Sequence, residues 1–596
     1  MSAQLNQICN PTSIPNNTYD TYETVKYAVI GLASCIPVYG TPIAAALWFI
    51  TTAVEGFISK DSDLNNYISM CKLIDNKIAD YDYSGLLVEL KNCADRLNDY
   101  VVAYNNWKAT PNVTMQNTLL GALTNARNQF STSINHARRP GYEFQELMIF
   151  SMMATMNLML IREAITVGPT YGKPAVEIKQ DSATLTALIK EYSAYAKLTY
   201  NNGIAKLKTQ TPNDSNLWNN INTTRNMMII GVFDYVNVWW TLDLALFPKG
   251  GPIQERVRYL YTQLCGHPLK KDWSSVTVQD IDPFFSKFVA GANDNWNYQQ
   301  YQGELKEFQS NWNQDMRAFI DAQPVFYDYE KGTRAGHRVT AVSGQPLTRQ
   351  IFNVETDTHS GAQINYARNP QLIVFPIIAT GTYGDGSDPK PHPMFTFRKD
   401  YLAFNGHKIA NLVPVGINIL DKDPFPPFSP LQPPHIAAFS MGFLPTDVFH
   451  QNVVFVDKTT CIDAQKYIHQ TGNVDFMPDY FNIGYHAMRL PPAGSFKFRF
   501  DLSNTGVGAK KFQIWMFVSC PNEKSMATPS GTLQFLQGAN VVAKFNWTGV
   551  PSSQIVNDPA CILTLQPNGD SNIFEIKYLF GQNKLYIKSI LFVPTA

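Results

Sequence analysis

The sequence predicts a multidomain protein of the α plus β class, in which a helical bundle (residues 1–255) precedes two β domains (256–434 and 435–596). Before Pro248, apolar residues recur every three or four positions, which is the spacing of amphipathic helices. After it they mostly alternate, as in half-buried strands. Between the two β regions, Asp423–His435 holds six prolines in thirteen residues and cannot form a sheet interior.

One predicted helix stands apart because it has no polar face. The fifteen residues from Leu147 to Ile161 include no charge, and Met, Leu, Ile and Phe occur on every side. In water such a helix must be enclosed by other helices. We therefore expect the segment Gly141–Gly172 at the centre of the bundle.

The helix before it is amphipathic. Asn112 or Thr114 is expected to cap it, and it runs to about Arg138. Its apolar stripe faces the bundle, and the opposite face carries Asn, Thr and Ser without an acidic residue. The turn Arg138-Arg139-Pro140 then separates it from the central helix.

Three further helices are predicted over Ser84–Trp107, Ser182–Lys208 and Asn213–Phe247. In the second region we expect a helix near Glu304–Ile320, an exposed loop over Thr382–Pro393 and a hairpin turn at Asn405-Gly406. The strands expected there are Arg338–Val342, Ile373–Thr380, Phe395–Phe404 and Lys408–Ile419.

The third region has the clearest strand. In Ser495–Leu502, Phe496, Phe498 and Phe500 alternate with Lys497, Arg499 and Asp501. Further strands are predicted at intervals typical of a β-sandwich. They are Gln513–Val518, Leu533–Leu536, Val541–Phe545, Ile562–Leu565, Ile573–Tyr578 and Lys584–Phe592.

Composition excludes several functions. Lys+Arg and Asp+Glu are equal at 48 each, so no net charge favours nucleic acid. The eight cysteines form no CxxC pair and are expected as buried thiols, and no catalytic motif or histidine cluster predicts an enzyme, a metal or a cofactor. The uncharged segment Ala28–Val54 is interrupted at Pro37, Gly40 and Pro42, which favours two short helices over a membrane span.

Four stretches resemble the three-domain Cry δ-endotoxins of insecticidal crystals. They are Gly141-Tyr142 with Arg162-Glu163 and Tyr171-Gly172 around the central helix, Tyr200–Gly203, Trp218–Pro248, and Leu585–Pro594. The resemblance implies a seven-helix bundle with a central hydrophobic helix, a three-sheet β-prism and a C-terminal jelly-roll sandwich. The chain resembles the short members, which lack the C-terminal crystallisation extension.

The resemblance implies an insecticidal pore-forming toxin. Such a toxin is stored in a parasporal crystal inclusion of the producing bacterium, released, and trimmed by gut proteases. It then binds receptors of the insect midgut, with glycans as further candidate partners, and inserts its fourth and fifth helices into the plasma membrane as part of a homo-oligomer. A soluble carbohydrate-binding lectin or adhesin is the alternative, but it leaves the apolar central helix unexplained.

The same resemblance selects candidate residues. The membrane-insertion residues are Leu147, Phe150, Met153, Met156, Leu158 and Leu160. The pore-lining candidates are Asn117, Thr124, Asn128, Ser131 and Asn135, whose other interpretation is a solvated face of the bundle. The hairpin turn is Arg138, Arg139 and Pro140. The candidate ion pairs that clamp the bundle shut involve Arg162, Glu163, Arg225 and Asp234. The receptor-loop candidates are Tyr383, Asp385, Asp388, Asn405 and His407. Asn157, inside the central helix, is expected to be a hydrogen-bonded core amide.

Overall fold

The computed structural model describes residues 84–209 and, with gaps, 221–247 and 452–595, and it gives the backbone of strands between 253 and 445. Two compact units divide the chain, one formed by residues 1–210 with 223–253 and the other by residues 211–222 with 254–596. The break after Ile253 lies two residues from the predicted boundary at 255/256. The helices predicted before Ser84 lie outside the described residues.

Four long helices form most of the described part of the first unit. They are α1 (Ser84–Ala109), α2 (Val113–His136), α3 (Glu143–Thr166) and α4 (Ala175–Lys208). α3 contacts each of the other three. The predicted cap of α2 is confirmed, because the Asn112 side chain accepts a hydrogen bond from the Met115 amide at 2.9 Å.

Two helix boundaries differ from the prediction. α4 begins at Ala175 rather than at the predicted Ser182. The prediction missed its first turns because they are largely exposed and carry no apolar stripe. The helix predicted to reach Phe247 ends earlier. A π-helix (Ile229–Phe233) continues as Asp234–Val236 and is followed by a 3-10 turn (Trp239–Leu242). Here the Trp240 indole donates to the Asn237 carbonyl, so a side chain replaces a helical hydrogen bond.

Glycines allow two close approaches in the bundle. A Cβ added at Gly203 of α4 would lie 2.0 Å from the Phe144 ring of α3, so only glycine permits this contact between the helices. Gly172, which follows the 3-10 turn Gly168–Tyr171, has a φ of +79° and lies against the Gln116 side chain. Two of the stretches that resemble the Cry toxins therefore contain a glycine for a steric reason.

Strands dominate the described part of the second unit. In chain order, those from 253 to 445 are β1 (Ile253–Gln254), β2 (Arg258–Tyr261), β3 (Cys265–Gly266), β4 (Gln299–Gln300), β5 (Leu305–Asn311), β6 (Asp315–Ile320), β7 (His337–Ala341), β8 (Ile351–Glu355), β9 (Gln363–Ala367), β10 (Ile378–Thr382), β11 (Pro391–Thr396), β12 (His407–Ile417) and β13 (Ile436–Pro445). One antiparallel sheet has the order β11-β10-β9-β8-β7-β5-β6. Another has the order β2-β13-β12-β4, with β3 also paired to β13.

The pairing in this region corrects one prediction. The helix expected near Glu304–Ile320 is wrong, because β5 and β6 form an antiparallel hairpin there; Leu305 and Phe308 only imitate helical spacing. The hairpin turn expected at Asn405-Gly406 lies outside the described residues, while β11 pairs with β10 and β12 pairs with β13 and β4. β12 and β13, which lie on either side of the predicted boundary at 434/435, pair from His407–Pro445 to Ile417–Ile436 and share a sheet, and the boundary itself stays a prediction.

The strands from 453 onward form a sandwich. They are β14 (Val453–Val454), β15 (Thr460–Asp463), β16 (His469–Thr471), β17 (Asp475–Asn482), β18 (Tyr485–Leu490), β19 (Ser495–Arg499), β20 (Asp501–Leu502), β21 (Lys510–Ser519), β22 (Ser530–Gln537), β23 (Asn540–Thr548), β24 (Gln554–Leu565), β25 (Ile573–Phe580) and β26 (Leu585–Pro594). One sheet has the order β16-β19-β25-β22-β23, and the other includes β15-β26-β18-β17, with β21 between β26 and β24. Each strand predicted in this region coincides with an observed one.

The sandwich core follows the predicted alternation. Phe496, Phe498 and Phe500 are all buried, whereas Lys497 and Arg499 are partly exposed. The four cysteines that the structure describes are free and buried, as expected. They are Cys93, Cys461, Cys520 and Cys561.

Candidate functional site: the α2–α3 hairpin

The central helix is completely enclosed. Every residue of α3 from Phe144 to Ile165 is buried, and the six predicted insertion residues are each 0% exposed. Among the residues that the structure describes, α3 is the one helix long and apolar enough to cross a membrane, although the core helix of a soluble protein passes the same test. Burying each large apolar side chain contributes about 1.5–3 kcal/mol, so the bundle core depends on α3.

Three polar side chains in the middle of α3, Ser151, Thr155 and Asn157, are hydrogen-bonded. Ser151 and Thr155 donate to backbone carbonyls four residues earlier. The Trp239 indole donates to Thr155 Oγ1 at 2.9 Å, and Asn157 Nδ2 donates to the Tyr192 hydroxyl at 3.1 Å. Asn157 is therefore the hydrogen-bonded core amide that the sequence predicted. These bonds connect α3 to two different neighbours and hold its rotation and register.

α2, unlike α3, has a polar face that is exposed to solvent. Its apolar stripe is buried, including Leu119, Leu123 and Phe130. The five pore-lining candidates are all exposed, so in this structure they form a solvated polar face, and the pore-lining role stays a prediction. They are Asn117, Thr124, Asn128, Ser131 and Asn135.

The turn between α2 and α3 is held partly by its own residues. Glu146, 0% exposed, accepts a hydrogen bond from the Arg139 amide at 2.8 Å and lies 3.5 Å from the Arg139 guanidinium. Gly141 has a φ of +87°, and its amide donates to Glu143 at 2.9 Å. These contacts stay within the hairpin, and Pro140 lies in the exposed turn between them.

Arg138 faces the bundle instead. Its guanidinium carbon lies 5.0 Å from the ring centre of Phe150 on α3, and 5.2 Å and 4.8 Å from those of Tyr192 and Tyr195 on α4. Its Nη1 also donates to Glu191 of α4 at 2.7 Å. Each cation–π contact contributes about 0.5–2 kcal/mol, depending on how much water is excluded. We call these three rings and Glu191 the Arg138 cage.

Within the described part of the chain, the ion pairs predicted for Arg162 and Glu163 are not observed. The buried Arg162 guanidinium donates to the carbonyls of Thr241, Leu242 and Phe247, at 3.2 Å for Thr241 and 3.1 Å for Phe247. It therefore ties α3 to the segment after the π-helix through backbone acceptors. Burial lowers the pKa of Arg162 to about 10, and the nearby Asp243 carboxylate opposes that change, so the guanidinium is charged at neutral pH.

Among the residues that the structure describes, none provides a cationic partner for Glu163. Its side chain is 1% exposed, and its Oε2 makes no hydrogen bond. Burial raises the pKa of this carboxyl to about 8, so it is protonated at neutral pH. Burial raises the pKa of Tyr100, Tyr104 and Tyr171, and the charge of Glu163, when present, raises it further. Arg225 and Asp234 are both buried, and the ion pair predicted for them stays a prediction.

Other charged residues that tie the helices together were not predicted. The buried Asp181 of α4 lies 2.6 Å from Arg127 of α2 and 3.2 Å from the buried Lys173, which also contacts Glu177. The Arg138 cage was missed as well. The aromatic residues at 192 and 195 lie one helical turn apart, which was the sequence signal for one wall of the cage.

The receptor-loop candidates fall mostly outside the described residues. His407 is the first residue of β12, in register with Pro445. Tyr383, Asp385, Asp388 and Asn405 are not described. β10 and β11 pair antiparallel from Ile378–Thr396 to Thr382–Pro391, so residues 383–390 connect two neighbouring strands. The loop predicted over Thr382–Pro393 is therefore shorter than expected, because Thr382 lies in β10 and Pro391–Pro393 lie in β11, and its receptor role stays a prediction.

On the sandwich, the two basic residues of β19 differ. Arg499 lies 3.3 Å from Asp501 and 3.2 Å from Asp570. Lys497 lines a surface cleft of about 300 Å³ together with Gln537, Asp570 and Glu575. A partly solvated face, the simpler interpretation of these two cations, agrees with their exposure.

The fold and the hairpin define a class of protein: a helical bundle that encloses an apolar helix, followed by antiparallel β-sheets. Residues 28–243 match the family described as the delta endotoxin N-terminal domain. The fold is similar to that of a Cry1Da tryptic core variant from Bacillus thuringiensis, with a TM-score of 0.65 at 14% identity over 97% of this chain and 100% of that chain.

Two pesticidal crystal proteins are also similar in sequence. Cry26Aa of Bacillus thuringiensis subsp. finitimus is 21% identical over 438 residues, which is 69% of this chain and 36% of that protein. Cry8Ba of Bacillus thuringiensis serovar kumamotoensis is 28% identical over 223 residues, 36% of this chain and 18% of that protein. Residues 28–243 therefore carry a delta endotoxin N-terminal domain, and the chain is similar in sequence and fold to the three-domain Cry delta-endotoxins; its matched region spans about a third or less of these curated relatives.

Proposed function

We propose that this chain is an insecticidal pore-forming toxin that permeabilises the plasma membrane of gut epithelial cells by inserting the α2–α3 hairpin. The single observation that carries the proposal is α3, a helix apolar on all sides and buried along its whole length. A bundle and a lipid bilayer are both apolar surroundings for its side chains, so the exchange of one for the other is nearly neutral for most of its residues.

Length and charge are compatible with insertion. The 24 residues of α3 extend about 36 Å, compared with a hydrocarbon core of ~30 Å. Its four charged residues lie near its two ends, Glu143 and Glu146 in the first turn and Arg162 and Glu163 in the last five residues, where side chains reach the headgroups at low cost. Glu146 keeps its Arg139 partner within the hairpin, which reduces the charge that the tip must carry into lipid.

α2 supplies the water path. Its exposed Asn, Thr and Ser face cannot meet lipid cheaply, but it can line the lumen of a homo-oligomer while its apolar stripe packs against α3. We expect Asn128→Lys to reduce the single-channel conductance to cations in planar bilayers. Asn202→Lys, which adds the same charge to an exposed position of α4, is the control. Unchanged conductance and selectivity in Asn128→Lys would contradict a luminal role.

Dye release from liposomes tests the function as a whole. After trimming by gut protease, the toxin releases an encapsulated dye above the buffer level. If glycan binding is intact but release stays at that level, the chain is the carbohydrate-binding lectin instead. The proposal also includes receptor binding through hairpin tips such as residues 383–390, glycans as further partners, and storage in a crystal inclusion.

A further inference from the structure

We propose that Arg138 is the latch that holds the tip of the hairpin against α4, and that its exit from the Arg138 cage frees the hairpin for insertion. Only the claim that release of Arg138 frees the hairpin for insertion rests on the proposed function. The claim that Arg138 holds the tip against α4 in the bundle is testable without a membrane.

Position singles out Arg138 at the turn. Arg139, Gly141 and Tyr142 make hydrogen bonds to residues 139–146, which move with the hairpin. Arg138, by contrast, has three of its four partners on α4: Tyr192, Tyr195 and Glu191. Moving the tip away from α4 therefore separates Arg138 from most of its surroundings.

The cage also connects α3 to α4. The Phe150 ring of α3 packs against Tyr195 at 4.6 Å and edge-on against Tyr192 at 5.5 Å between ring centres. The guanidinium of Arg138 lies within 5.2 Å of all three ring centres and closes this cluster. Removing it opens the contact between two helices that must part when the hairpin leaves.

The hydrogen bonding makes the latch reversible. Arg138 Nε and Nη2 are buried and form no hydrogen bond, so the cage satisfies the guanidinium only in part. Water or a lipid phosphate satisfies those groups better, since a phosphate accepts two parallel N–H bonds from one guanidinium. The bound state is therefore stable in the bundle but replaceable at a membrane surface.

Hydrogen exchange of the full-length protein in solution tests the latch. In Arg138→Gln, we expect the amides of residues 136–146 to exchange at least about tenfold faster than in wild type, because local opening becomes easier. Arg138→Lys keeps the charge but loses the planar stacking, so it should be intermediate. Arg96→Gln removes an exposed arginine paired within α1 and is the control.

Tyr195→Leu is a second variant that tests the latch if Arg138→Gln does not fold. It keeps Arg138 and Glu191 and removes one wall of the cage, so hydrogen exchange of the same amides should be faster. If neither variant accelerates exchange at residues 136–146 beyond the Arg96→Gln control, the latch is overturned.

Liposome dye release separates the latch from the function. The latch predicts that Arg138→Gln and Tyr195→Leu release dye faster than wild type. Faster exchange with unchanged release would overturn the link between latch and insertion. If wild type itself releases no dye, the proposed function fails, and the exchange result alone decides whether Arg138 holds the tip.

Discussion

The buried carboxyl of Glu163 predicts that the stability of the bundle decreases as pH rises. In the folded protein its pKa is about 8, compared with an ordinary value of 4.5. Between these two values the unfolded chain has lost the proton while the folded chain keeps it, so folding must take up a proton. Stability is therefore highest below about pH 4.5, falls up to about pH 8 and then levels off.

The magnitude follows from the two pKa values. Their difference of about 3.5 corresponds to roughly 5 kcal/mol at 1.36 kcal/mol per pKa unit. Glu163→Gln keeps the shape of the side chain and removes the ionisation. Burying the amide changes the free energy of unfolding by an amount that does not depend on pH. The informative quantity is therefore how the difference in stability between variant and wild type changes with pH.

Protection of the α3 amides from hydrogen exchange measures this difference in the full-length protein. The ratio of protection, variant over wild type, should rise up to about tenfold per pH unit between about pH 5 and about pH 8. Taking the ratio cancels the intrinsic pH dependence of exchange. Asp99→Asn, which removes an exposed carboxylate of α1, is the control. A ratio for Glu163→Gln that stays constant across this range would refute the argument that the carboxyl is buried without a partner.

Two further predictions concern packing and charge. Gly203→Ala places a methyl group 2.0 Å from the Phe144 ring and should destabilise the bundle by about 1–3 kcal/mol in thermal unfolding. Gly121→Ala is the control, because nothing lies within 4 Å of a Cβ added there. An unchanged melting temperature would contradict the close approach. Asp181→Asn removes the carboxylate between Arg127 and the buried Lys173 and should lower the free energy of unfolding by about 3–5 kcal/mol. Asp95→Asn, at an exposed position of α1, is the control. Equal melting temperatures of Asp181→Asn and wild type would mean that Glu177 alone neutralises Lys173.

Sequence periodicity was reliable where one face of an element is buried and the other is not. The cap at Asn112, the stripe of α2 and the alternation around Phe498 were all predicted correctly, because each depends on residues close in sequence. Prediction failed where local spacing was ambiguous, as in β5 and β6. It also failed where side chains replaced backbone hydrogen bonds, as after Val236.

In the candidate site, too, some features follow from the sequence and others only from the tertiary structure. That α3 must be enclosed follows from its composition alone, and so does the polar face of α2, because both are properties of a single helix. The partners of the charged residues were decided only by the tertiary structure. Arg162 binds three carbonyls, Glu163 faces tyrosines, and Arg138 enters a cage whose walls lie 12, 54 and 57 positions away in sequence. A buried charge takes whichever acceptor or ring the packing of distant helices brings to it, and sequence spacing carries no information about that choice.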